Sequence, residues 1–214
     1  MEAAFWQHRW QVNQIGFHLP SANPLLTNNF SHLNIATGSR VFVPMCGKTI
    51  DIHWLLAKGY YVVGVELVED AIIQLFDELD ITPTVTEHSE MRLYQGPNID
   101  IWVGDIFQLP IAEIGSIAAV YDRAALVALP VDMRLDYVSL ITKVCSDYQC
   151  PQLLVTFEYD QRLAGGPPFS ISQTDVAQYY DNRFSIALLQ TADVEGGMKG
   201  KCPAQECVFA LMPL

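Results

Sequence analysis

The feature of this chain that most limits its fold is an alternation between short apolar segments and amphipathic ones. Residues 41–44 form a buried-strand pattern, and residues 48–58 that follow carry apolar side chains at helical spacing. The same order repeats in residues 60–65, rich in β-branched and aromatic side chains, and in residues 68–79, again periodic like a helix. Apolar strands that alternate with amphipathic helices are typical of parallel βαβ units covered on both faces. The sequence therefore predicts an α/β fold.

The rest of the chain adds further strands and helices. Helices are predicted over residues 135–145, with Leu135, Val138, Ile141 and Cys145 on or near one apolar face, and over residues 174–180. Between residues 84 and 103 the pattern loosens, and a strand followed by a hairpin fits it. Further strand segments cover residues 116–121, 152–157, 184–189 and 206–212. Because no helix separates the last two, we expect a seven-stranded, mostly parallel sheet with helices on both faces and an antiparallel edge strand.

Residues 1–39 differ in character from the remainder. They are polar and aromatic, and they contain a run of turn residues at positions 20–24. We expect one or two short helices outside the sheet, as an extension of the same domain whose main part covers residues 40–214. A chain of 214 residues can bury about 70% of its unfolded surface, so one domain is sufficient.

The charge balance argues against two classes of partner. The sequence contains 12 basic and 24 acidic residues, which gives a net charge of −12, and it has no Lys/Arg cluster. Because phosphate binding requires a basic face, nucleic acid and anionic membranes are poor candidates. The chain shows neither a basic segment followed by an apolar one at its start nor an apolar run long enough to cross a bilayer. We expect a cytoplasmic monomer.

The cysteines and histidines indicate neither a disulfide framework nor a metal site. The five cysteines form no C-x-x-C motif, and their odd number argues against a secreted, disulfide-linked scaffold. We expect reduced thiols, with Cys46 as a small buried hydrophobe rather than a nucleophile. The five histidines show neither an H-x-x-x-H pair nor the cysteine partners of a zinc site. No metal is predicted.

The loop after the first strand, residues 44–49, occupies the position where doubly wound folds bind nucleotides. Gly47-Lys48-Thr49 matches the end of a phosphate-binding P-loop, but the required leading glycine falls on Phe42. A dinucleotide fingerprint needs three glycines, and only Gly47 is present. S-Adenosylmethionine, an adenosine without phosphate, needs a single glycine for close approach. A purely structural turn at Gly47 is the alternative.

Two acidic residues follow the next strands in positions that suit an adenosine. Glu66 lies nineteen residues after Gly47, where a carboxylate can accept hydrogen bonds from both ribose hydroxyls. The alternative is a solvated acid at the start of the next helix. Asp105 precedes Ile106, so the acid can accept from the adenine amine while the aliphatic side chain packs on the ring. The alternative for Asp105 is a simple turn-forming role.

Several motifs together resemble the thiopurine S-methyltransferase family. The resemblance covers nearly the whole chain up to about residue 190, and the P-x-C-G-K loop combined with D-R-x-A-L-V-A is specific. The motifs are Phe5-Trp6-Gln7-His8-Arg9-Trp10, Phe17-His18, Phe42-Val43-Pro44-Met45-Cys46-Gly47-Lys48, Val63-Gly64-Val65-Glu66, Asp105-Ile106-Phe107, the segment Tyr121 to Leu129, and Gly166-Pro167-Pro168-Phe169.

The resemblance implies a class I methyltransferase fold with an N-terminal lid, S-adenosylmethionine as cofactor and S-adenosylhomocysteine as product. It also implies soft acceptors: aromatic and heterocyclic thiols, and in bacterial members selenium or tellurium oxyanion species, with a role in xenobiotic detoxification. For the cofactor it implies Trp10 as a lid with Trp6 beside it, Met45 in the pocket wall, Glu66 at the ribose, Asp105 and Ile106 at the adenine, and Arg123 between cofactor and acceptor.

The chemistry of the transfer agrees with these roles. Methyl transfer from a sulfonium to a thiolate neutralises charge, so the protein mainly has to align and desolvate the reactants, and a strong base is not required. Arg123 is the candidate catalytic residue because a guanidinium can stabilise a thiolate; the alternative is a salt bridge to Asp122. Aromatic faces attract a sulfonium, whereas Trp6 and Trp10 can also simply anchor the extension.

The acceptor is less well defined than the cofactor. Phe17 and the loop 165–169, with Pro168 and Phe169, are expected to wall its pocket. Mammalian family members are thought to contact the purine with a second arginine near the chain end, whereas residues 196–201 here offer only lysines, which lack a planar fork. The alternatives are methylation of selenium, tellurium or halide species in a smaller pocket, and a cofactor-binding module without catalysis.

Overall fold

The structure of the protein is a computed structural model, and it describes residues 3–16, 18–145, 150–180 and 182–214. Within these ranges the chain forms six α-helices: α1 Ala3–Gln11, α2 Pro24–Asn29, α3 Ile50–Ala57, α4 Glu69–Glu78, α5 Val131–Val144 and α6 Gln173–Tyr180. The same ranges contain nine strands: β1 Arg40–Val43, β2 Tyr61–Glu66, β3 Thr84–His88, β4 Met91–Gly96, β5 Ile99–Val103, β6 Ala119–Arg123, β7 Gln152–Tyr159, β8 Phe184–Asp193 and β9 Ala204–Pro213.

The strands form one sheet in the order β3-β4-β5-β2-β1-β6-β7-β9-β8. The five central strands, from β5 to β7, are parallel, and β9 is antiparallel to both β7 and β8. The α/β fold and the antiparallel edge are thus confirmed. The expected count of seven strands is wrong by two, because the hairpin of β3 and β4 extends the sheet beside β5. β3 is mostly exposed and polar, so it lacks the apolar pattern of a covered strand.

Side chains of one strand contribute alternately to two hydrophobic cores, one on each face of the sheet. In β1, Phe42 packs in a core with Tyr137 and Ile141 of α5. Its neighbours Val41 and Val43 belong to the other core, which contains residues of α3 and α4. Because successive side chains of a strand point to opposite faces, a strand covered by helices on both faces must be apolar throughout.

Two details around α5 correct the sequence-based expectations. The helix begins at Val131, four residues earlier than expected, and Leu135 is 67% exposed rather than buried. The other members of the expected face, Val138, Ile141 and Cys145, are buried, and Tyr137 is buried beside them. The expectation of reduced thiols also fails at Cys145 and Cys150, which form a disulfide. The end of α5 approaches the residues before β7, and the two Cα atoms lie 5.3 Å apart, a normal separation for such a bond.

The segment before β1 lies outside the sheet and is fixed to it by a buried carboxylate. The side chain of Asn23 caps α2 by accepting from the N–H of Leu25. The Asn23 N–H donates to Asp51 Oδ1 at 2.7 Å, and the Tyr121 hydroxyl donates to Asp51 Oδ2 at 2.9 Å. Asp51 is 1% exposed. One side chain of α3 therefore links the start of α2 to β6.

None of the helices in the described part of the chain has both the length and the apolar character that a bilayer crossing requires.

Candidate active site

The strand order reverses at β1, with β2 and β5 on one side and β6 and β7 on the other. A crevice at the carboxyl ends of the strands is expected at such a point. The structure has a cavity of about 580 Å³ there, a volume typical of small-molecule sites. It brings together many of the site residues predicted from the sequence: Trp6, Trp10, Met45, Glu66, Asp105, Ile106, Arg123 and Pro168.

The loop after β1 is held in a strained backbone conformation. Met45 and Gly47 have φ values of +47° and +51°, in the left-handed region. A Cβ atom on Gly47 would lie 3.1 Å from the indole ring of Trp10, a tight contact, so glycine suits this position both by its backbone conformation and by its size. Gly47 itself lines a smaller adjoining pocket of about 30 Å³, which Trp10 and Arg123 also line. Across the crevice, Ala124 after β6 has a φ of +64°.

Glu66 is held at the end of β2 by two backbone donors. Its Oε2 accepts from the Gly47 N–H at 2.8 Å, and its Oε1 accepts from the Val68 N–H at 2.9 Å. The residue is 7% exposed, so the alternative of a solvated acid is wrong. Burial raises the pKa of Glu66, and the two N–H donors oppose that rise. Each carboxylate oxygen still has a lone pair for a further donor.

Lys48 and Thr49, which in a P-loop would contact phosphate, form hydrogen bonds with helices α4 and α3 in this structure. The Lys48 ammonium donates to Glu78 Oε1 of α4 at 2.6 Å. The Thr49 hydroxyl caps α3 by accepting from the Asp51 N–H. The structure thus gives Lys48 and Thr49 structural partners, in agreement with the missing leading glycine.

Asp105 and Ile106 follow β5 at the neighbouring strand end. Asp105 is exposed, and its Oδ1 accepts from the Phe107 N–H at 3.0 Å, at the start of a short 3₁₀ turn. The turn-forming interpretation of Asp105 therefore describes a real hydrogen bond. Asp105 and Ile106 also line the cavity, with Ile106 buried, so a turn-forming role and a ligand-facing role are compatible.

Arg123 lies at the carboxyl end of β6 and lines both the cavity and the adjoining pocket. Its neighbour Asp122 points to the other face, where its carboxylate accepts from the Tyr137 hydroxyl at 2.7 Å and from the Leu126 N–H at 3.2 Å. Burial raises the pKa of Asp122 to about 6. The carboxylate of Asp122 thus accepts hydrogen bonds from α5 and from the turn after β6. The structure therefore does not support the alternative of a salt bridge between Asp122 and Arg123.

Helix α1 forms a further wall of the cavity. Trp6 and Trp10 both lie in this wall, and Phe5 packs edge-to-face on Trp6 with ring centroids 5.2 Å apart. Contact of Trp10 with the Gly47 loop shows that an anchoring role and a cavity-lining role coexist. The predicted acceptor residue Phe17 lies outside the described residues.

The loop after β7 contributes to the cavity in part. Pro168 lies in the cavity wall. Phe169, also predicted to contact the acceptor, is not among the described lining residues; its ring lies 5.5 Å from the guanidinium carbon of Arg134. The Phe169 N–H donates to the carbonyl of Val127 at 2.6 Å. The structure therefore places Phe169 behind the wall formed by Pro168.

Sequence reasoning missed the part of the wall formed by β7, β9 and the connection between β8 and β9. Phe157 and Glu206 line the cavity from β7 and β9, and Val194, Met198 and Lys199 line it from the connection. Burial raises the pKa of Glu206, and the positive charge of Arg123 opposes that rise. The one available signal was an acidic residue directly before the apolar run 207–211.

Solved structures of the same fold are methyltransferases. A methyltransferase from Anabaena variabilis superposes with a TM-score of 0.64 at 15% identity, covering 98% of this chain and 94% of its own. The 1,6-didemethyltoxoflavin-N1-methyltransferase of Burkholderia thailandensis, solved with its substrate and S-adenosylhomocysteine, gives 0.66 at 14% identity, covering 98% and 87%. These matches show that the chain has the fold of S-adenosylmethionine-dependent methyltransferases.

Sequence comparison identifies the family. The sequence model of thiopurine S-methyltransferase matches residues 1–208. Proteins of that name from Teredinibacter turnerae and Xanthobacter autotrophicus are 48% and 47% identical; each alignment covers 99% of this chain, and 97% and 99% of the relatives. The chain belongs to the thiopurine S-methyltransferase family.

The crevice fits S-adenosylmethionine as cofactor. The backbone at Gly47 leaves a space that a Cβ would fill, and the buried Glu66 presents a carboxylate beside it. A carboxylate there suits ribose hydroxyls and repels a ribose phosphate. Lys48 is engaged with Glu78. The Gly47 backbone and the Glu66 carboxylate therefore suit a nucleoside without a ribose phosphate.

Proposed function

We propose that the protein methylates the sulfur of aromatic and heterocyclic thiols such as thiopurines, with S-adenosylmethionine as methyl donor. The observation that carries the proposal is one continuous cavity that extends from Glu66, at the end of β2, to the apolar wall around Phe157 on β7, with Arg123 between them. The names of the relatives from Teredinibacter and Xanthobacter support the same acceptor class. Methylation of foreign thiols would serve xenobiotic detoxification in the cytoplasm.

The half of the cavity formed by β1, β2 and β5 holds the cofactor. Bound S-adenosylmethionine supplies a methyl group on a positively charged sulfur. Glu66 accepts hydrogen bonds from the ribose hydroxyls, with lone pairs that the Gly47 and Val68 N–H groups leave available. The remaining contacts come from Met45 and the Gly47 backbone in the first loop, Asp105 and Ile106 at the adenine, and the indoles of Trp6 and Trp10 near the sulfonium.

The half formed by β6, β7 and β9 receives the acceptor. Its apolar side chains, among them Phe157, Pro168 and Met198, suit an aromatic ring and exclude water from it. Arg123 stabilises the thiolate through its guanidinium. Because the reaction neutralises two charges, alignment and desolvation by these walls supply most of the catalysis.

The two alternative functions make different demands on the cavity. Selenium, tellurium or halide species are small and would need a narrower, less aromatic pocket, whereas about 580 Å³ with apolar walls accommodates a ring system beside the cofactor. A cofactor-binding module without catalysis would keep Glu66 and Asp105 and use Arg123 only for structure.

A panel of methyl-transfer reactions tests the proposal. The purified protein is incubated with radiolabelled S-adenosylmethionine and, separately, with 6-mercaptopurine, thiophenols, selenite, tellurite and iodide. Transfer to the thiols, with little to the inorganic species, is the expected result. Cofactor binding by calorimetry without transfer to any acceptor would establish the binding module, and preferential transfer to the inorganic species would establish the other alternative.

A further inference from the structure

We infer that Glu206 accepts the proton of the acceptor, and that the protein thereby favours neutral, weakly acidic thiols and thiones over oxyanions. This inference rests on the proposed thiol methylation and assigns a residue to a step which that proposal leaves open.

The register of the sheet places Glu206 in the acceptor half of the cavity. Glu206 of β9 is opposite Phe157 of β7, and both side chains line the cavity. β7 lies between β9 and β6, the strand that ends at Arg123. An acceptor ring packed on Phe157 therefore lies between a guanidinium on one side and a carboxylate on the other.

The carboxylate of Glu206 is available to a ligand. In the part of the chain that the structure describes, no group donates a hydrogen bond to its oxygens, in contrast to Glu66 and Asp51, which each accept two. Glu206 is also half-buried. A half-buried carboxylate without a protein donor gains most from a ligand that brings a proton to it.

The charged groups around Glu206 set its basicity. Asp51 on α3 acts with burial to raise the pKa of Glu206, and Arg123 lowers it. Tyr121 of β6 and Cys207 of β9 are the other titratable groups that interact with it. A carboxylate with a raised pKa is closer in basicity to an aromatic thiolate, which favours proton transfer between them.

The step requires no other reactant. The S–H bond of a thiol, or the ring N–H bond of a thione, breaks, and its proton forms an O–H bond with a Glu206 oxygen. The electron pair stays on the acceptor, whose sulfur becomes a thiolate near Arg123. After the S-methyl product leaves, Glu206 returns the proton to water. An anionic acceptor such as selenite meets repulsion from the same carboxylate.

Glu206→Gln tests this role with two thiols of different acidity. 6-Mercaptopurine is a neutral thione below neutral pH and needs a base, whereas 4-nitrothiophenol is already ionised. We expect kcat/KM at about pH 6 to fall roughly 10²-fold for the first and less than about threefold for the second. Glu206→Asp, which retains a carboxylate, should recover part of the loss. Glu158→Gln is the matched control, because Glu158 is exposed on the adjacent strand and points away from Phe157's face.

Ionisation of the bound acceptor provides a readout without turnover. The ultraviolet absorption of 6-mercaptopurine changes on ionisation, and it can be recorded in the complex with S-adenosylhomocysteine. The wild type and Glu158→Gln should bind the thiolate, and Glu206→Gln the neutral thione. The role of Glu206 would be overturned if Glu206→Gln lost kcat/KM equally for both thiols or for neither. An absorption spectrum of the bound acceptor that is the same in Glu206→Gln and in the wild type would also overturn it. Failure of the wild type to methylate either thiol would instead refute the proposed function itself.

Discussion

At the scale of single residues, the bond between Glu66 and the Gly47 N–H joins the ends of two neighbouring strands at the cofactor half of the cavity. Glu66→Ala should weaken S-adenosylmethionine binding by roughly 10- to 100-fold, because hydrogen bonds from the ribose to a charged group contribute about 1.5–3 kcal/mol. Isothermal calorimetry measures the affinity. Glu90→Ala, at an exposed turn between β3 and β4, is the control and should bind as the wild type does. Unchanged affinity of Glu66→Ala would refute the ribose role.

In the proposed function Arg123 acts at the acceptor, so its replacement should change turnover more than cofactor affinity. Arg123→Lys retains the charge but loses the planar fork. We expect kcat to fall by about tenfold or more, with the dissociation constant of S-adenosylmethionine changed by less than about threefold. Steady-state kinetics combined with calorimetry measure both quantities. Equal turnover would leave Arg123 with a structural role only.

At the scale of elements, α1 lines the cavity and places Trp10 beside the Gly47 loop, and we propose that it covers the bound cofactor. Trp10→Ala should raise the dissociation rate of S-adenosylmethionine by roughly tenfold, because both a cation–π contact and a covering wall are lost. Stopped-flow fluorescence measures that rate. Val12→Ala, at an exposed position just after the same helix, should leave it unchanged. The same rate in both variants would count against a lid.

Elements with a strong apolar period could be predicted from the sequence, and elements without one could not. β1, α3, β2 and α4 could be predicted in order because the two strands are apolar on both faces and the two helices carry an apolar face that packs into one core. The hairpin of β3 and β4 was only a loose pattern, since β3 is mostly exposed. Leu135 shares the helical period of the buried Val138 and Ile141 and yet is exposed, because a period shows which residues fall near one face but not how far along the helix the packing extends.

The proposed cofactor half of the site could be predicted from local sequence patterns, and the proposed acceptor half could not. Glu66 could be found from its distance to Gly47 in a βαβ unit, and Asp105 from its position after a predicted strand and before the apolar Ile106. Glu206 was missed because it reaches the cavity only through the pairing of β9 with β7. That pairing is a contact between distant parts of the chain, and among 24 acidic residues nothing local distinguishes this one.

At the scale of the whole molecule, Asp122 gives the stability a distinctive pH dependence. Its pKa is raised from 3.8 to about 6 in the folded protein, so the folded state binds this proton more tightly than the unfolded chain. The wild type should therefore gain about 2 kcal/mol relative to Asp122→Asn as pH falls from about 7 to about 4. Urea unfolding at several pH values measures the difference.

The control for this prediction is Asp136→Asn, at an exposed position of α5. Its free energy of unfolding should follow that of the wild type across the same pH range. Parallel curves for the wild type and Asp122→Asn would show that Asp122 titrates alike in the folded and unfolded chains.

Because the strand order reverses at β1, the two halves of the cavity are formed mainly by different segments of the chain. We propose that residues 40–106, together with helix α1, form the cofactor half and that residues from β6 onward form the acceptor half. A lineage can therefore exchange one acceptor for another by mutating β7, β9 and the connection before β9 while the donor half stays intact. Directed evolution of new acceptors should therefore begin at the same three places.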